Sequence, residues 1–168
     1  RPGPRRYFPP PGDDARPLAT AWEALRLAAE STSAAQADDE YHALFIGIGR
    51  GELVPYGSWY STGFLMEQPL VVLRRDLEVL GIERSPEVSE PEDHVGALCE
   101  TMSFLIDDDG ISLDTQREFF AHHLAPWFAH FFRDLQQADS ARFYRAVGRL
   151  GRAVTEFECK SRAILAER

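Results

Sequence analysis

Glu90-Pro91-Glu92-Asp93-His94 gathers three carboxylates and an imidazole around one proline. Carboxylates in such a cluster can grip a guanidinium through charge-assisted, often bidentate hydrogen bonds. An aspartate beside a histidine also invites a general-base reading, but neighbouring residues on a helix point about 100° apart, so this pair needs a third group before it can move a proton. The apolar repeat Val95, Leu98, Met102, Leu105 that follows has helical spacing and places the cluster on a helix's first turn. There Ser89 and Glu92 fit a capping box, Pro91 needs no amide partner, and acids suit the positive end of the dipole. Capping accounts for Glu90 and Glu92 more readily than for Asp93-His94, because an imidazole near a helix start is disfavoured as a cation.

The other reactive-looking segments fail on spacing. Gly47-Ile48-Gly49-Arg50-Gly51 lacks the third glycine of a dinucleotide loop, since Glu52 stands there, and a helical pattern precedes it where a strand is needed. Asp107-Asp108-Asp109-Gly110 is no calcium loop, because with Gly110 at the sixth position Leu105 falls at the first ligand position. Gly57-Ser58 lacks the flanking glycines of a nucleophile elbow. His122, His123 and His130 share a helical region without an H-E-x-x-H pattern, and one helix cannot aim all three at one ion. Cys99 and Cys159 are the two cysteines and form no C-x-x-C, so neither a zinc site nor a disulfide scaffold is indicated. No metal and no cofactor are expected.

The elements that must position the cluster are helices. The chain of 168 residues, 44% of them hydrophobic, can bury one core and is short for two. A formal net charge of -9 disfavours nucleic acid and anionic membrane as partners and favours a cationic one. No segment approaches the roughly 20 apolar residues of a membrane span. Residues 1–17, rich in proline, glycine and arginine, predict an extended or poorly ordered lead-in. Within it Arg5-Arg6-Tyr7-Phe8 has the look of a twin-arginine export signal, but Pro9-Pro10-Pro11-Gly12 follows where an export signal needs an apolar run.

From residue 18 to 168 the pattern predicts one all-α domain. Leu18, Ala21, Trp22, Leu25 and Ala29 form a first core stripe, with a connection over residues 31–36. Asp38-Asp39-Glu40 opens a second helix, ended by Gly47, Gly49 and Gly51. Residues 52–63 interleave Pro55, Gly57, Ser58 and Gly63 with Tyr56, Trp59 and Tyr60 and predict an aromatic loop, a setting that favours function. Pro69 opens a helix capped by Gly81, and residues 83–91 form a polar linker. After the helix that starts at the acidic cluster, another begins near Ser112 and is kinked or restarted at Pro126. The last begins near Asp139-Ser140 with the stripe Phe143, Val147, Leu150, Val154, Phe157.

Tyr41-His42-Ala43-Leu44-Phe45, Val54-Pro55-Tyr56-Gly57-Ser58-Trp59-Tyr60, Glu90-Pro91-Glu92-Asp93-His94, and Phe119 to Leu124 with Trp127 occur in an order and spacing that resembles the TorD/DmsD family of molybdoenzyme-specific chaperones, chiefly over residues 38–135. The resemblance implies a cytoplasmic, all-helical protein without catalytic activity. It would bind the twin-arginine signal peptide, or the apo form, of a molybdenum oxidoreductase and delay export until the cofactor is inserted. Formate dehydrogenase is slightly preferred as client over dimethyl sulfoxide and trimethylamine oxide reductases. The family's peptide-binding positions carry over to Leu44, Phe45, Pro55, Tyr56, Asp93 and His94, and the candidate set adds Tyr41, Ser58, Tyr60 and Glu92. Asp93, with Glu92 or Glu90, would pair with arginine, while Phe45 and Tyr56 would meet the apolar part. A monomer or a domain-swapped dimer is implied. Two other readings stand beside it: a helical adaptor for a constitutive protein partner, and a hydrolytic enzyme using Asp93 and His94.

Overall fold

A computed structural model describes residues 16–47 and 50–166, and the expectation for most of the lead-in therefore lies outside the described residues. Eight α-helices are described: α1 (Arg16–Ser31), α2 (Ala34–Tyr41), α3 (Gly57–Thr62), α4 (Gln68–Val79), α5 (Val95–Asp107), α6 (Leu113–Phe119), α7 (Phe128–Gln137) and α8 (Phe143–Ala166). Two π-helical turns, His42–Ile46 and Phe120–Leu124, continue α2 and α6. Among the described residues there is no strand, and a single antiparallel bridge joins Tyr56 to His94.

Local chemistry explains most boundaries. Ser33 starts α2 with a complete capping box, its hydroxyl accepting from the Gln36 amide and the Gln36 side chain accepting from the Ser33 amide. Ser112 starts α6 by accepting from the Thr115 amide. Pro69 sits in the first turn of α4, where its missing N–H costs nothing. Pro126 lies between the second π turn and α7, so the chain restarts there, as its sequence predicts.

The core is built by Leu70, Leu73 and Leu77 of α4, Leu98 and Leu105 of α5, and Phe119, Phe120, Trp127, Phe128, Phe131 and Leu135 around α6 and α7. Helix α8 packs along α7 on one side and along α1 on another. Gly57 lets the start of α3 press on this core, because a Cβ there would lie 3.0 Å from Trp127 Nε1.

Four expectations need correction. Trp22 is 62% exposed, because α1 turns only Ala21 fully inward against α8. The connection over residues 31–36 shrinks to Thr32 and Ser33, so Asp38-Asp39-Glu40 end α2 instead of opening it. Glu40 instead reaches across to α8, accepting from the amides of Arg142, Phe143 and Tyr144 at 2.7, 3.0 and 2.7 Å. The aromatic loop holds a helix, α3, whose six residues are too few for periodicity to reveal.

The fourth correction concerns the acidic cluster. It precedes α5 instead of forming its first turn, because His94 is the N-cap: its Nδ1 accepts from the Gly96 amide at 3.1 Å. Ser89 and Glu92 form no capping box.

Candidate functional site

The bridge between Tyr56 and His94 brings the two sequence motifs together. Gly57 donates to the Asp93 carbonyl and Val95 to the Pro55 carbonyl, both at 2.9 Å. The Tyr56 and His94 rings meet edge to face with centroids 5.2 Å apart, and the Tyr56 hydroxyl donates to a Glu90 carboxylate oxygen. Burial first, and then the neighbouring Glu90 carboxylate, raise the Tyr56 phenol well above its usual pKa, so it stays a donor. Burial pushes the His94 pKa down despite the opposing pull of Glu90 and Asp93. Its imidazole is therefore neutral near pH 7, and with Nδ1 accepting from Gly96 the proton resides on Nε2.

Behind this pair lies Asp93, only 3% exposed. Its Oδ2 accepts from the Ser58 amide at 2.7 Å, while Oδ1 is buried without a hydrogen-bond partner among the described residues. Ser58 is itself fully buried, and its hydroxyl accepts from the Met66 amide at 3.2 Å. Asp93 thus tethers the start of α3 to the segment before α5. An arginine-pairing role does not fit that position, since a guanidinium cannot reach a carboxylate so enclosed without opening the bridge. Asp93 and His94 also engage different partners and form no hydrogen bond to each other, so the general-base pairing has no geometry behind it.

Glu92 is committed too. Arg74 donates to it from Nε and a terminal nitrogen at 3.0 and 2.8 Å, and Arg84 lies 3.6 Å away. Burial tends to raise its pKa, but the Arg74 contacts outweigh it and hold the carboxyl below the usual range. Glu90 is the exposed carboxylate of the cluster.

Next to His94 opens a groove of about 950 Å³ whose surface is mostly apolar, with Gln116, Arg117 and Glu158 among its polar lining. One wall is α5, through Val95, Cys99, Met102 and Ile106; the other is α8, through Val147, Leu150, Val154 and Glu158; Phe120, Phe128 and Phe131 form the floor. Tyr41, Phe45, Pro55 and His94 stand at one end with Tyr144. The Phe45 ring lies 5.2 Å from Tyr41 and 5.6 Å from Tyr144, making an aromatic rim. Gly151 keeps the α8 wall close to Phe132, where a Cβ would come within 2.3 Å of the ring.

Of the sequence-predicted residues, then, Tyr41, Phe45, Pro55 and His94 line the groove, and Tyr56 adjoins it through His94. Leu44 and Ser58 are fully buried, and Tyr60 is held inside by stacking on Trp127 at 5.5 Å and by its hydroxyl's 3.2 Å bond to Asp134. These three support the site from behind. Sequence reasoning missed the α8 wall, whose stripe it read only as one face of the last helix, and the α5 face with Cys99 and Ile106. Among the described residues no group of three His, Cys, Asp or Glu side chains is placed to hold a metal ion; His123 Nε2 is instead 2.7 Å from Asp76.

Residues 12–133 match the model of the nitrate reductase delta subunit family. A probable Tat proofreading chaperone DmsD from Haemophilus influenzae is 28% identical over 114 residues, covering 67% of this chain and 55% of the relative. The chaperone protein TorD of Vibrio cholerae is 28% identical over 120 residues, covering 66% and 54%. The Tat proofreading chaperone DmsD of Salmonella typhi is 29% identical over 164 residues, covering 87% and 79%. The chain spans about half the length of the first two. A match over that much of the chain shows that it belongs to the nitrate reductase delta subunit family, the family that includes the TorD and DmsD chaperones.

Proposed function

We propose that this protein is a chaperone that binds the twin-arginine signal peptide of a molybdenum oxidoreductase precursor and holds the precursor back until its cofactor is inserted. The observation that carries the proposal is the apolar groove between α5 and α8 with Glu90, Tyr56 and His94 at one end. A twin-arginine peptide offers two guanidinium groups and then an apolar run. The exposed Glu90 carboxylate suits the first, and the long apolar walls, rimmed by Tyr41 and Phe45, suit the second. The relatives named Tat proofreading chaperones support the same reading. Such a protein acts before export, in the compartment where the precursor is made, as a binder and not as a catalyst.

Calorimetric titration of the protein with a twin-arginine peptide and its twin-lysine counterpart tests this. The arginine peptide should bind more tightly, since ammonium cannot form the bidentate fork. Glu90→Gln should weaken binding about ten- to hundredfold, the worth of one charge-assisted hydrogen bond. Equal affinities for both peptides in both proteins would favour a constitutive adaptor that uses the aromatic rim alone.

A further inference from the structure

We infer that the groove's first occupant is the chain's own amino-terminal segment: Arg5-Arg6-Tyr7-Phe8 competes in cis with the client peptide. The inference rests on the peptide-binding reading above and adds a regulator to that site.

Three observations support it. The first is chemical likeness. Arg5-Arg6 supplies two adjacent guanidinium groups and Tyr7-Phe8 two aromatic rings directly after them, the same order of groups that the exposed Glu90 carboxylate and the apolar walls can receive. The second is charge. The first twelve residues hold three arginines and no carboxylate, in a chain of net charge -9 whose exposed Glu90 lies beside the His94 end of the groove.

The third is reach. The segment joins α1 at Arg16, and α1 packs along α8, the helix that forms a groove wall. The stretch from Arg6 to Arg16 can span roughly 33–36 Å, and α5, which sets the groove's length, is about 20 Å long. A tether this short holds its ligand at an effective concentration in the millimolar range. A contact of only about 100 μM intrinsic affinity would then fill the groove most of the time and weaken an incoming peptide about tenfold. Pro9-Pro10-Pro11 stands where a signal peptide has its apolar run, so the segment engages the arginine end and the first turns of the α5 wall, at Val95 and Cys99, and leaves the rest of the walls unused. A client with both halves displaces it.

The experiment compares the full chain with its Arg5→Gln/Arg6→Gln variant. Cys99 lines the groove, whereas Cys159, exposed on α8, does not, so the two thiols serve as probe and internal reference. Alkylation without added peptide should be several-fold faster at Cys99 in the variant and unchanged at Cys159. The variant should also bind a twin-arginine peptide about tenfold more tightly by calorimetry. Equal Cys99 rates in the two proteins would overturn the inference, and if both still bound the peptide the client reading would stand without it. A rate difference in proteins that bind no peptide would leave the self-contact intact and remove the client reading. Protection of Cys99 that fades on dilution would identify a second copy's segment as the occupant and overturn the cis arrangement.

Discussion

Asp93→Ala should destabilise the protein, and Asp93→Asn should largely spare it. The alanine variant removes the carboxylate that accepts from the Ser58 amide at 2.7 Å, and Ser58 is fully buried, so water cannot replace the lost acceptor. An amide left unsatisfied in that place costs about 1–3 kcal/mol. Part of this is offset, because the buried carboxylate with its unpartnered Oδ1 is itself costly to hold away from water. A net loss of about 1–2 kcal/mol follows, which for a chain of this length lowers the melting temperature by about 2–8 °C. Asparagine keeps an oxygen for Ser58 and sheds the buried charge, so its cost should stay within about 1 kcal/mol. Thermal unfolding of the three proteins, followed by far-UV circular dichroism, is the assay. An alanine variant that melts within a degree of the wild type, or an asparagine variant as weak as alanine, would refute the tethering role.

Glu40→Ala should lower stability by about 1–2 kcal/mol, because three amides at the start of α8 lose their acceptor; hydrogen exchange should show faster opening of that first turn, and unchanged exchange would argue against the cap. Gly151→Ala brings a Cβ within 2.3 Å of the buried Phe132 ring, so an overpacking cost of about 1–3 kcal/mol should exceed the roughly 1 kcal/mol that alanine adds in helix propensity; a variant that is more resistant to urea would contradict this. Burial depresses the His94 pKa below 6.5 in the folded state. As pH falls below about 6.5 the unfolded chain takes up the proton first, so stability is complete above that pH and declines below it. His94→Asn, which can still cap α5, should flatten the decline between about pH 7 and pH 5 in urea titrations, and an unaltered slope would assign the titration elsewhere.

Helices α4, α6 and α7 were legible because each carries apolar residues at helical spacing and a boundary signal: Pro69, Ser112, Pro126. The α2 boundary was misread because acids mark a helix start only on average, and here Glu40 serves a different helix, about 100 residues away. The pairing of the Tyr56 and His94 motifs was legible only through family likeness, since nothing local says that residues so distant share a bridge. Burial of Asp93 was not legible at all. A carboxylate next to an exposed Glu90 and a proline looks solvent-facing, and its partner, the Ser58 amide, has no side-chain signature. The groove hid behind the same ambiguity, because an apolar stripe reads alike whether it meets a core or an open cleft.

The Tyr56–His94 bridge has a kinetic consequence. Forming it closes a loop of about 40 residues, at an entropic cost on the order of 3 kcal/mol. Two backbone bonds, the Asp93–Ser58 bond, the Tyr56–Glu90 bond and the Tyr56–His94 ring contact reward that closure, and all of them form only once the loop is closed. It is therefore expected late, after the helices have formed their local contacts. Substitutions at the bridge should speed unfolding and leave the folding rate nearly unchanged. The His94 end of the groove is thus withheld until the helical body exists, so a half-folded copy of this protein presents its helices before it presents a complete groove.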